Sequence, residues 1–284
     1  MFVHGLWIHA SAWDPWVDLF TSAGYEARSA DWPGDGDTVE ATRRSPQQVA
    51  GYGVQDITDH IARQIGRFGE RPVVIGHSFG GLIAQKLLTS GIASAAVAID
   101  PAPIKGVKAL PIPQIRSALP VLRSKANRDG SVMLTRRQFR YAFGNAVSRE
   151  ESDELYRRWA IPGPGRPIFD LTAAKKDPHP PTEVDLSDRV RGPLLILGGE
   201  RDHTIPEVVA RQAAELYQPG TNTEYRRIPG RGTLGRLVGA VSGVGGPPPA
   251  ARVVGPAARR RRGVVEAARV VIGGRAPREG LGPR

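Results

Sequence analysis

Ser78 is the residue whose setting most clearly implies chemistry. It stands in Gly76-His77-Ser78-Phe79-Gly80-Gly81, a G-x-S-x-G pattern placed directly after the apolar run Val73-Val74-Ile75 and directly before a helical pattern from Leu82. On a sharp strand-to-helix turn a serine hydroxyl is presented as a nucleophile. Glycines two positions to either side let the strand and helix pass closely. The N–H groups at the helix start then face the oxyanion that forms when such a hydroxyl attacks an acyl carbon. The bare pattern is weak in a glycine-rich chain, and it is the strand–turn–helix context that gives it weight.

A nucleophilic serine needs two oxyanion donors, an acid and a base. The first donor is the backbone N–H of Phe79, the residue after the nucleophile. The second falls on His4-Gly5-Leu6-Trp7, just after Phe2-Val3, with the Leu6 amide the first choice and Trp7 the second. His4 reads as a pin for that loop rather than a chemical group. Trp7, Trp13 and Trp16 read as pocket wall or core. The acid is expected on the loop after a late strand, and Asp202 lies about five residues beyond Leu194–Leu197. A helix-capping role for Asp202 competes with that reading; Asp100 at another strand end is the alternative acid, and Glu200 a weaker neighbour. The base should be a histidine on the loop after the last strand, Thr223–Ile228, which is Pro229-Gly230-Arg231-Gly232-Thr233-Leu234. No histidine follows His203. The six are His4, His9, His60, His77, His179 and His203, and none occupies that place. Removing one triad member typically costs about 10⁴–10⁶ in kcat.

The elements that must position these residues alternate as strand and helix, which predicts an α/β fold with a doubly wound, mostly parallel sheet. Expected strands are Phe2-Val3, Tyr25–Ala30, Val73–Ile75, Ala95–Ile99, Leu194–Leu197 and Thr223–Ile228. Ser11 can cap a helix bearing Trp13, Trp16, Val17 and Phe20. Gln47–Phe68 reads as one long helix with Ile57, Ile61 and Ile65 on a face, Leu82–Leu88 as the helix after the elbow, and Pro206–Tyr217 as a late helix. From about Ile104 to Arg191 the strand–helix rhythm stops, with helical patterns at Leu134–Phe143 and Glu150–Trp159. An insertion of this length predicts a helical cap over the sheet. The expected organisation is core at 1–103, cap at 104–191, core again at 192–232 and a tail at 233–284.

The 284 residues carry a net charge of +11, of which residues 231–284 hold +9. The globular part is therefore close to neutral, and the run Arg259-Arg260-Arg261-Arg262, without aromatic partners, does not predict a nucleic-acid partner. The absence of cysteine excludes a disulfide framework, a thiolate metal site and a cysteine nucleophile. With no 18-residue apolar run and no signal-peptide pattern at Met1-Phe2-Val3, the chain reads as soluble and cytoplasmic, with a small-molecule substrate and no membrane partner. Residues 233–284 lack aromatics, Lys, Asp and Asn, which reads as a disordered or poorly packed tail.

Gly76–Gly81, His4-Gly5, Asp31-Trp32-Pro33-Gly34 and Gly199–Pro206 together resemble the α/β-hydrolase superfamily, and within it bacterial esterases grouped with non-haem haloperoxidases. The resemblance covers residues 2 to about 232. It implies a serine hydrolase of a small carboxylic ester or related acyl compound, without metal or organic cofactor, in which haloperoxidase-like activity would be perhydrolysis at the same site. The other expectation is a non-catalytic ligand-binding pseudo-hydrolase. Two departures stand out. The usual first two strands and part of the third are missing ahead of His4-Gly5. And where the family carries Gly-His-Ser, or Gly-His with a small residue, this chain has Gly232-Thr233-Leu234. A His-Ser pair encoded CAC TCT and read one base later begins Thr-Leu, so the arginine-, glycine- and proline-rich remainder is expected to be an off-frame reading starting at codon 233.

Overall fold

The computed structural model describes residues 1–230. The tail at 233–284 and the expected frame change at Thr233 lie outside the described residues. The main sheet has six strands: β1 (Phe2–Val3), β2 (Ser29–Ala30), β3 (Val73–His77), β4 (Ala95–Ile99), β7 (Leu194–Gly199) and β8 (Thr223–Ile228). They run in the order β2-β1-β3-β4-β7-β8, and every pairing is parallel. A parallel sheet must be covered on both faces, and its central strands accordingly read as unbroken apolar runs: Ala95–Ile99 is buried at all five positions.

The core helices are α1 (Asp14–Ser22), α2 (Val39–Arg44), α3 (Val54–Ile65), α4 (Phe79–Thr89) and α9 (Glu207–Glu215). α4 packs on β3 and β4, α9 on β7 and β8, and α3 on α4. Aromatic packing fastens the N-terminal layer. Phe2 stacks on Trp13 at 5.1 Å and meets Trp16 and Phe20 edge-on at 6.0 and 5.4 Å. Such pairs add roughly 0.5–1.5 kcal/mol each beyond the area they bury.

The strands and their parallel pairing are as the pattern predicts, but several spans differ. The expected helix Gln47–Phe68 is instead a 3-10 turn, Pro46–Val49, followed by α3. Gly51 at φ +80° breaks the path, and the Asp56 carboxylate accepts the Gly53 N–H at 2.8 Å to start the helix afresh. Ile57, Ile61 and Ile65 still share the buried face. The expected strand Tyr25–Ala30 shrinks to Ser29–Ala30, because β1 offers only two residues to pair with it. α4 starts at Phe79, three residues before the apolar pattern that signals it.

Between β4 and β7 the chain forms α5 (Ile112–Leu122), α6 (Arg136–Ala142), α7 (Arg149–Trp159) and α8 (Arg166–Ala173), with a small antiparallel ladder of β5 (Ser131–Val132) and β6 (Gly163–Pro164). The ladder has no sequence signal, being two residues a side with a proline in it. The Arg43 guanidinium donates to the carbonyls of Ala160 and Tyr156 at 2.8 Å, and the Asp170 carboxylate accepts the Val54 N–H at 2.9 Å. These three bonds tie the insertion to the core helices. No helix among the described residues is long and apolar enough to cross a membrane.

Candidate active site

Ser78 sits at φ 55°, ψ −120°, between the end of β3 and the first turn of α4. A non-glycine residue pays roughly 1–3 kcal/mol for such a backbone and holds it only where its surroundings over-determine it. Four hydrogen bonds do so here. The Ser78 N–H donates to Ile99 O at 3.0 Å, and its carbonyl accepts from Gly81, Leu82 and Ala102 at 2.9–3.2 Å. The flanking glycines are sterically required. A Cβ on Gly76 would lie 2.0 Å from Gly80 O, and one on Gly80 would lie 2.2 Å from Val3 O.

The His4–Trp7 loop closes over the elbow from the β1 side. A Cβ on Gly5 would stand 2.8 Å from Ser78 Cβ, so Gly5 lets this loop rest directly against the serine. Trp7 turns the chain with φ 70°, its indole N–H donating to Val132 O at 3.0 Å. Among the described residues neither the Leu6 nor the Phe79 backbone N–H has a protein acceptor. Both residues line the cavity that contains Ser78. His4 is 2% exposed, with Nε2 3.1 Å from Asp35 Oδ2 and its ring stacked on Trp32 at 5.0 Å. That is a histidine locking one loop to another, as its place in the sequence suggests.

Asp202 is buried on the loop after β7, and its Oδ1 accepts the N–H groups of Thr204 and Ile205 at 2.7 and 2.8 Å. Those two residues line the Ser78 cavity. Asp202 does not cap the helix that follows: α9 starts at Glu207 with Pro206 at its N-cap and no side-chain cap bond, and the carboxylate instead holds the turn of its own loop. Asp100, the alternative acid, is wholly buried at φ 42° and accepts the Gly199 N–H, pinning β4 to β7. Glu200 is on the surface, with Arg227 and the Gly230 N–H as partners. The Asp202 carboxylate thus sits against two cavity-lining residues.

None of the six histidines lines the cavity. His77 is buried within β3; His9 bonds Ser11 and Gly36; His179 pairs with Glu183 on the surface. His203 packs its ring against Tyr141 at 4.8 Å, with its Nδ1 3.1 Å from Tyr141 O.

The cavity measures about 670 Å³ and is roofed by α5, α8 and the Pro103–Leu110 segment. Ile104, Val107, Leu122, Phe143 and Ile168 give it an apolar interior, while Lys108 and Lys175 also line it. The size suits a small organic ligand, for which apolar walls with few polar groups are the norm. Sequence reasoning put Gly5 on the oxyanion loop but missed its contact with Ser78, which shows only once its neighbour across the fold is known. Among the described residues no cluster of three or more His, Asp or Glu is arranged to hold a metal ion.

The model of the alpha/beta hydrolase family matches residues 1–234. No curated protein sequence matches the chain. Among solved structures it is similar to a putative non-heme bromoperoxidase from Mycobacterium tuberculosis, at 21% identity and TM-score 0.61 over 95% of this chain and 91% of that one. It is similar to a thermophilic esterase from Thermogutta terrifontis at 15% identity and TM-score 0.60, over 95% and 89%. A monoacylglycerol lipase from Paleococcus ferrophilus follows at 22% and 0.56, over 82% and 84%. At these identities the likenesses speak for the fold.

Proposed function

The chain belongs to the alpha/beta hydrolase family, and from that premise we propose that it is built as a serine hydrolase of small carboxylic esters or related acyl compounds, with Ser78 as nucleophile. The carrying observation is the strained backbone of Ser78 at the floor of a largely apolar cavity, beside two amides without protein acceptors. Ser78 Oγ attacks the acyl carbon, its proton passing to a base. The carbonyl oxygen becomes an oxyanion held by the Phe79 and Leu6 N–H groups, each such donor being worth roughly 10²–10³ in kcat. Collapse of the tetrahedral adduct expels the alcohol with a proton from the protonated base, and water then releases the acid by the same steps in reverse order. Asp202 orients the base. The 104–191 insertion acts as the lid that shapes the acyl pocket. The bromoperoxidase and esterase likenesses fit this chemistry, since peroxide in place of water would release a peracid.

The base this scheme requires is a histidine after β8, and the chain has Thr233-Leu234 there. A one-base shift at codon 233 accounts for both the dipeptide and the composition that follows. Resequencing that codon tests the shift directly. Hydrolysis of p-nitrophenyl acetate tests the function: the Thr233→His variant, or the chain with its frame restored, is expected to turn over the ester and to label Ser78 with a fluorophosphonate, while the chain as written does neither well. A restored frame that neither hydrolyses esters nor labels would overturn the reading in favour of a ligand-binding role for the same cavity.

A further inference from the structure

A second cavity, of about 600 Å³, lies between α5 and α6 and is lined by Arg116, Arg123, Arg137 and Arg140 with no carboxylate. We propose that it binds a small molecule carrying two or more phosphate groups. Bulk charge does not explain the cluster, because residues 1–230 are close to neutral. Nearby arginines are paired: Arg136 with Asp153 at 3.9 Å and Arg157 with Glu154 at 2.6 Å. None of the four lining arginines has such a partner among the described residues. Glu150, at the start of α7, acts electrostatically with Arg140 and Arg149 but does not line the cavity.

Like charges gathered round one concavity repel one another and favour an anionic ligand. Two phosphates bring about three to four negative charges at neutral pH, which matches four guanidiniums, whereas one carboxylate would neutralise only one. The planar guanidinium fork suits phosphate oxygens. Arg116 is already held, its guanidinium 4.2 Å above the Tyr141 ring, so less freedom is lost when it binds. Ser117, Thr135, Gln138 and Asn145 line the same space as neutral hydrogen-bonding groups. The cavity also adjoins the Asp202 loop. Asn145 donates to Arg201 O at 2.6 Å, His203 bonds Tyr141 O, and Ser117 lines both this cavity and that of Ser78. A ligand here would tie α5 and α6 to the loop that carries the acid.

Isothermal titration of the full chain with inorganic pyrophosphate and with ATP tests the proposal, with acetate and phosphatidylglycerol vesicles as the other arms. One saturable site for pyrophosphate or ATP is expected, weakening as salt rises and weakening at least tenfold in Arg116→Ala/Arg140→Ala. The exposed pair Arg123→Gln/Arg137→Gln, with an unchanged melting temperature, is expected to show the same loss and separates binding from folding. Because Arg259–Arg262 is itself polycationic, a variant with those four replaced by alanine is titrated in parallel and should bind as before. Equal affinity in both cavity variants, loss in the tail variant instead, acetate binding as tightly, or binding to vesicles without binding to pyrophosphate would each overturn it. The readout is binding alone, so it stands or falls apart from hydrolysis at Ser78.

Discussion

The strain at Ser78 can be measured by comparing two substitutions there, Ser78→Ala and Ser78→Gly. Both remove the hydroxyl, but alanine keeps a Cβ at φ 55°, ψ −120° and glycine does not. The four backbone hydrogen bonds made by Ser78 N–H and C=O involve no side-chain atom, so the turn keeps its shape in both variants. Glycine relieves a strain of roughly 1–3 kcal/mol and gives back roughly 0.4–1 kcal/mol through the greater freedom of the unfolded chain. The glycine variant should therefore be the more stable by about 1 kcal/mol. With a urea dependence of about 2.5 kcal/mol per molar, that is a midpoint shift of about 0.4 M. The assay is urea unfolding followed by tryptophan fluorescence. Trp13 and Trp16 are wholly buried and report loss of the core. A glycine variant that unfolds at lower urea than the alanine variant would refute the claim that the elbow stores backbone strain.

Two further outcomes follow from the carboxylates. Asp202→Asn retains an Oδ1 that can accept the Thr204 and Ile205 N–H groups, so stability should change by less than about 1 kcal/mol, while kcat for p-nitrophenyl acetate in the histidine-restored chain should fall about 10³–10⁴-fold; activity within tenfold of the parent would remove Asp202 from the triad. Asp170, on α8, has its carboxyl pKa raised above the usual 3.8, chiefly by burial, against the lowering effects of the Val54 N–H and Arg166. The folded state then binds a proton more readily than the unfolded one, so the stabilisation is complete below pH 3.8 and is lost as pH rises through the raised value. Asp170→Asn lacks that titration. The stability of the parent relative to the variant should fall between pH 3.8 and neutrality, and a difference in melting temperature that stays flat or grows over that range would contradict the burial argument.

How much of this was legible in the sequence depends on how local each feature is. The elbow is local: Val73–Gly81 contains the strand, the turn and the helix start, and the structure has all three there. The parallel strands around it were legible from apolar runs spaced by helices. Helix ends were less legible, because the residues that decide them lie off the periodic face; Gly51 broke what Ile57, Ile61 and Ile65 made look continuous. At α6 the start is fixed by a capping box of Thr135 and Gln138 that the apolar pattern alone did not mark. The arginine cavity was spread over two helices, at i and i+7 from Arg116 to Arg123 and at i and i+3 from Arg137 to Arg140, and no single window holds it. The contact of Gly5 with Ser78 spans more than seventy residues and has no trace in either segment alone.

That contact also sets when in folding Ser78 acquires its geometry. β3, the turn and the start of α4 can form from neighbouring residues, but the packing of Gly80 against Val3 O and of Gly5 against Ser78 must wait until β1 has docked beside β3. Loop closure over such a separation is slow compared with local helix formation. A chain whose first strand is undocked holds a serine with no Leu6 amide beside it. On the proposed reading, partly unfolded molecules of the histidine-restored chain would be kept from indiscriminate acyl chemistry, and their reactivity toward a fluorophosphonate would report the docking of β1.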